Sequence, residues 1–120
     1  MGVVEKRDSE LFEGENERSF KAAIAVAPFC ETDGNVVVPT LILVGELDTR
    51  SLTVCRRLMV QRTGSGSSMT LIVYPGVHHD FDAARLPQGQ RGDYWIQYDA
   101  AATERAVQDI RGFLARHLIN

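Results

Sequence analysis

Three apolar runs, each bounded by proline or glycine and separated by segments of helical periodicity, narrow the architectures open to this chain to a small group. The first is Phe20-Lys21-Ala22-Ala23-Ile24-Ala25-Val26-Ala27-Pro28-Phe29, the second covers residues 40–44 after Pro39, and the third covers residues 69–74 before Pro75-Gly76. None alternates apolar with polar. Unbroken apolar runs of this length suit strands covered on both faces, the situation of a parallel sheet. Pro39 stands at a strand entrance, where its missing N–H does least harm.

Between the second and third runs Leu52, Cys55, Leu58 and Met59 recur at helical spacing, with Asp48, Thr49 and Ser51 as alternative N-caps. A long loop over residues 78–98 follows the third run, and then a helix over residues 99–117 with Ala106, Ile110, Phe113, Leu114 and Leu118 on its apolar stripe. Strands alternating with helices predict an α/β fold of about three parallel strands flanked by helices. Residues 1–19, dense in charge from Glu5 to Arg18, read as an N-terminal surface arm or short helix, and residues 20–120 as the domain.

With 120 residues the chain can bury roughly 65% of its unfolded surface, enough for one core. At 44% apolar and 24% charged residues, disorder is a poor reading. A net charge of -3 leaves no basic face, so no nucleic-acid partner is expected. No apolar stretch reaches the ~20 residues that span a bilayer, and the N-terminus does not resemble a signal peptide, so a cytoplasmic protein with no membrane partner is the expectation. Cys30 and Cys55 form no CxxC pair and are expected to be reduced, buried thiols.

In a parallel sheet, functional groups collect beyond the carboxyl ends of the strands. Gly45-Glu46-Leu47-Asp48 follows the second run, and Tyr74-Pro75-Gly76-Val77-His78-His79-Asp80-Phe81 ends the third. If those strands are neighbours, about 5 Å apart, an aspartate and a histidine can meet on one rim. A carboxylate that orients a histidine, and a histidine that takes a proton from a nucleophile, form two members of a hydrolytic triad.

These segments, with Pro28-Phe29-Cys30 and the terminal helix, resemble the C-terminal half of the dienelactone hydrolase family of α/β-hydrolases. The resemblance implies a partial α/β-hydrolase fold acting on a carboxylic ester or lactone, with Asp48 as triad acid and His79, not His78, as triad histidine. It implies no cofactor and no metal. The family's glycine-flanked nucleophile elbow has no match in residues 1–19, where Ser9 and Ser19 lack flanking glycines, and Ala83 stands where dienelactone hydrolase has a substrate-binding arginine. The expectation is therefore a truncated domain, inactive alone, that meets a small ester or lactone substrate only when completed. The alternative is a non-catalytic domain with a structural or association role. An uncovered sheet edge further implies a homo-oligomer, most simply a dimer, or a complementing chain.

Other assignments of the same residues stand beside these. Asp48 also fits a helix N-cap and His79 a loop histidine. His78, Asp80 and Asp82 form a string that could suggest a metal, although consecutive residues seldom converge on one ion. Cys30, at the carboxyl end of a strand, could replace the nucleophile or be a small buried hydrophobe. Tyr94, Trp95 and Tyr98 either line a pocket or anchor the long loop.

Overall fold

The computed structural model describes residues 3–7 in backbone, and residues 21–31, 36–62, 66–92 and 94–118 with their side chains. Its elements in chain order are β1 (Val3–Arg7), β2 (Ala22–Val26), β3 (Thr40–Gly45), α1 (Thr49–Gln61), β4 (Met69–Tyr74), β5 (Gly89–Arg91), β6 (Tyr94–Ile96) and α2 (Ala100–Leu118). The main sheet is parallel, in the order β1-β2-β3-β4. The three expected strands are present, and Val3–Arg7, from the segment read as an arm, pairs with β2 as a fourth. Charge density hid it: Glu5, Lys6 and Arg7 carry none of the apolar signal used to recognise the others.

Alternate residues of β2 and β3 feed two cores. Ala22, Ile24, Val26, Leu41 and Leu43 pack with Tyr74, Phe81 and the buried face of α2, formed by Ala102, Ala106 and Phe113. Ala25, Ile42 and Val44 pack on the opposite side with Leu52, Cys55 and Leu58 of α1. Each fully buried leucine or isoleucine contributes about 2 kcal/mol of apolar transfer. The two helices therefore cover opposite faces of the sheet, which is why β2 and β3 could not alternate with polar residues. β4 pairs only with β3 among the described residues, and Thr70 on it is exposed.

Asp99 caps α2 by accepting a hydrogen bond from the Ala102 backbone N–H at 2.9 Å. Tyr74 at the end of β4 donates its hydroxyl to Asp109 Oδ2 at 2.6 Å, and so ties the edge strand to that helix. The loop over residues 78–98 is more ordered than its sequence suggests. Residues Gly89–Arg91 and Tyr94–Ile96 form an antiparallel pair, each only three residues long and the first of them polar, so neither registers as a strand.

The two cysteines correct the expectation of free thiols: Cys30 and Cys55 are joined in a disulfide, with Cα atoms 5.0 Å apart. They are 25 residues apart in sequence, but the chain leaving β2 and the inner face of α1 converge beneath the sheet. Pairing of this kind depends on three-dimensional proximity and leaves no trace in residue spacing.

Gly45, the last residue of β3, lies under a close backbone approach. A Cβ there would lie 2.6 Å from the Val77 carbonyl carbon and 2.9 Å from the His78 carbonyl oxygen. Gly45→Ala is expected to cost about 3 kcal/mol in denaturant unfolding, since rigid backbone must move. Gly112 is the contrasting case, because its Cβ would meet only Arg116 Nη1, at 3.7 Å. Gly112→Ala, in the interior of α2, is expected to stabilise by roughly 0.5–1 kcal/mol. Burial, reinforced by the Asp109 hydrogen bond and charge, holds the Tyr74 phenol well above its ordinary value, with Arg105 opposing weakly. The folded state thus keeps this proton more tightly than the unfolded chain, and the resulting stability is complete below the ordinary tyrosine range and lost as pH rises through and beyond it. In an alkaline spectrophotometric titration Tyr74 is expected to ionise only as the chain unfolds, and Tyr74→Phe to remove that step.

Candidate active site

The site forms where β3 and β4 end side by side. Their register pairs Gly45 with Tyr74, so the segments that follow, Glu46-Leu47-Asp48 and Pro75-Gly76-Val77-His78-His79, leave the sheet at the same level. They are stitched together: Glu46 N–H donates to the Tyr74 carbonyl and Leu47 N–H to the Val77 carbonyl, each at 2.9 Å. Gly76 N–H donates to Glu46 Oε1, also at 2.9 Å. The absence of a side chain on Gly45 permits this contact.

The stitching brings Asp48 and His79 together. His79 Nδ1 lies 2.6 Å from Asp48 Oδ2 and donates to it, because an ionised carboxylate can only accept. His79 is 1% exposed and Asp48 3%. Asp48 occupies the N-cap position of α1, yet its side chain makes no capping bond. Its carboxylate is turned to the imidazole instead. Asp48 Oδ1 and the hydroxyl of buried Ser51 have no hydrogen-bond partner among the described residues.

Aromatic side chains hold the imidazole in place. Phe29, just beyond β2, stacks on it with ring centroids 5.7 Å apart and planes 3° from parallel. Tyr94 of β6 meets it edge-on at 4.5 Å. The His79 backbone N–H donates to the Trp95 carbonyl at 3.2 Å, so the short β5–β6 ribbon fixes the histidine along the chain as well. Arg50 lies 5.2 Å from the Phe29 ring centroid, a cation–π contact behind the stack. The second imidazole nitrogen, Nε2, lies 3.5 Å from Asp80 Oδ2.

His78 takes a different path: it is half-buried and tilts against Trp95 at 6.0 Å, with no carboxylate partner on its Nδ1. Among the described residues no group of three His, Cys, Asp or Glu side chains could hold a metal ion, so the string His78, Asp80 and Asp82 does not converge. Cys30 reaches the same end of the sheet, but as a disulfide sulfur it has no thiolate to offer. Ser9 and Ser19 lie outside the described residues. Among the described residues no helix is long and apolar enough to cross a membrane.

Two cavities are lined by residues next to the pair in sequence or in contact with it, though not by Asp48 or His79 themselves. One, of about 160 Å³, is bounded by Leu47, Arg50, His78, Gln90, Tyr94 and Trp95. The other, of about 510 Å³, is bounded by Asp80, Leu86, Pro87, Arg91, Tyr94 and Ile96. Tyr94 is the wall between them, and Trp95 borders the smaller one while remaining 44% exposed. Tyr98 borders neither of these two and is 40% exposed, and its backbone N–H donates to Gln88 Oε1 at 2.6 Å. Ala83 is held in the turn after Asp80, and Arg85 is exposed. In the sequence Phe29 has only a place in the Pro28-Phe29-Cys30 segment and Asp80 only a place in a possible metal string, and neither reads as a neighbour of His79.

Comparison with known proteins agrees with the α/β fold. A family model described as the dienelactone hydrolase family matches residues 17–118. Searches of curated proteins and of solved structures each found no match. The matched region spans the whole of the sheet from β2 onward, both helices and the rim that carries Asp48 and His79, and the chain therefore belongs to the dienelactone hydrolase family.

Proposed function

We propose that these residues supply the acid and the histidine of a carboxylic-ester or lactone hydrolase, and that the nucleophile and oxyanion donors come from outside them. One observation carries the reading: a buried 2.6 Å bond between His79 Nδ1 and Asp48 Oδ2, at the carboxyl rim of a parallel sheet. In the reaction His79 would take the proton from an incoming hydroxyl or thiol as it attacks the carbonyl carbon, then return it to the departing alkoxide. Asp48 holds the imidazole with Nδ1 protonated, leaving Nε2 for the exchange, and steadies the imidazolium that forms. The aromatic packing of Phe29 and Tyr94 lowers the local dielectric and strengthens that charge pairing.

The other reading, a non-catalytic domain that keeps the fold for association, draws on the closure of the site. His79 is almost fully covered, and its Nε2 faces Asp80. The two readings separate on reconstitution: a nucleophile-bearing partner segment that restores ester hydrolysis, with the activity lost in His79→Ala, supports the first and rules out the second.

Alone, the chain is expected to show negligible turnover of activated aryl esters, since losing even one oxyanion donor costs about 10² to 10³ in rate. Robust turnover by the purified chain would overturn the need for an outside nucleophile. The pair itself is read by proton NMR: a strongly deshielded His79 Nδ1 proton is expected in the wild type and should vanish in Asp48→Asn. Its absence from the wild type would sink the assignment of Asp48 as the acid.

The sheet edge supports the proposal of a homo-oligomer. Among the described residues β1 pairs only with β2, and none of them pairs with its other edge, whose backbone groups could pair with a second strand. A two-fold dimer would satisfy that edge twice through one isologous contact. Sedimentation at micromolar concentration is expected to show a dimer, and a 13.3 kDa species alone would refute it.

A further inference from the structure

We infer that the Cys30–Cys55 disulfide is a positioning link for the candidate active site, holding a strained turn that lays Phe29 flat on the His79 imidazole. The catalytic meaning of that stack rests on the reading of His79 as the base; the dependence of the stack on the disulfide does not.

The turn leaves the end of β2 and covers residues 27–30. Among the described residues three other than glycine have a positive φ, and two of them lie here, Ala27 at 53° and Cys30 at 58°. Neither has the short polar side chain that lets aspartate and asparagine settle in the left-handed region, so both conformations are unfavourable by themselves. Ala27 also precedes Pro28, whose ring pushes the residue before it toward extended geometry. Backbone of this kind persists where its surroundings over-determine it.

The constraints can be named. At the start of the turn the Ala27 N–H donates to the Leu43 carbonyl at 2.8 Å, just beyond the last β2–β3 pair. At its end Cys30 is bonded to Cys55 of α1. The Cys55 sulfur also lies 3.7 Å from the Pro28 carbonyl oxygen, so the helix meets the middle of the turn as well. That helix is a firm support, because Leu52 and Leu58 pack with Ile42 and Val44 of β3 and Met69 of β4. Cys30 is 2% exposed and Cys55 0%, so a thiolate in solution cannot reach the bond while the fold is closed. The link is a fixture of the folded chain.

Phe29 stands between the two clamps. Pro28 and Cys30 beside it are buried, whereas Phe29 is half-buried and its ring lies within 3° of parallel to the imidazole, with centroids 5.7 Å apart. A change in the sign of φ at Ala27 or Cys30 redirects the chain between them, and the ring leaves the imidazole with it. Tyr94, the other ring against His79, comes from β6, which the disulfide does not join. Loss of the link should therefore remove one aromatic neighbour of His79 and spare the other.

The test follows these rings by NMR in three forms of the full chain: the oxidised wild type, the wild type refolded in excess dithiol, and Cys30→Ala/Cys55→Ala. The dithiol supplies two electrons and two protons; the S–S bond breaks, two cysteine thiols form, and the dithiol closes to a cyclic disulfide. In the oxidised chain nuclear Overhauser contacts are expected from the His79 ring to both Phe29 and Tyr94. In the link-free forms the Phe29 contact is expected to be lost, while the Tyr94 contact and the circular dichroism of the fold are retained. Absence of the Phe29 contact from the oxidised chain overturns the inference, as does its persistence in a link-free form that folds. Joint loss of both contacts, or failure of both link-free forms to fold, also overturns it, since the link would then hold the domain and not the ring. The His79 Nδ1 proton reports on Asp48, so failure of the hydrolase reading appears in a different signal.

Discussion

Two backbones touch where β3 ends, and the rim of the sheet is organised around that contact. Because Gly45 carries no side chain, the chain after β4 can pass directly over it, close enough for Leu47 N–H to reach the Val77 carbonyl. This contact sets the separation of the two segments, which in turn sets the distance between Asp48 and His79. A site made by two loops is only as well defined as the hydrogen bonds between them. Here those bonds come from backbone groups, which have far fewer alternative conformations than long side chains.

Charge placement follows from the same geometry. Burying aspartates is unfavourable unless each finds a partner, and one imidazole stands between two of them. The stack with Phe29, the edge contact with Tyr94 and the β5–β6 ribbon keep water from the trio and keep the ring from rotating away. On the far side of the sheet the Cys30–Cys55 bond joins the chain that carries Phe29 to the helix that begins after Asp48. The support of the histidine is therefore aromatic, and the chain that carries one of its rings is itself tied by the disulfide. None of these supporting residues is adjacent in sequence to the residue it supports, apart from Asp80.

The sheet and its helices could be read from the chain because their signal is periodic and local. A strand covered on both faces has to be apolar throughout, as Ala22–Val26 and Thr40–Gly45 are, and a helix covering it has to carry a stripe, as Ala106, Ile110 and Phe113 do. Val3–Arg7 escaped notice because pairing at an edge needs backbone groups, which every residue has, and not apolar side chains. The β5–β6 ribbon escaped because three residues are too few to show a period.

The order of apolar runs and the residues at their carboxyl ends determined, from sequence alone, that this is an α/β domain of the dienelactone hydrolase family with Asp48 and His79 at one end of neighbouring strands. Spacing could place them on a rim, but not in contact. Tertiary structure decided what each touches: that Asp48 turns from its helix to the imidazole, that Cys30 meets Cys55, that Phe29 and Tyr94 enclose the ring, and that Asp80 faces its second nitrogen. The physical reason is range. Burial and periodicity are properties of neighbours along the chain, whereas a hydrogen bond between residues 31 apart depends on where two loops lie after the sheet has formed.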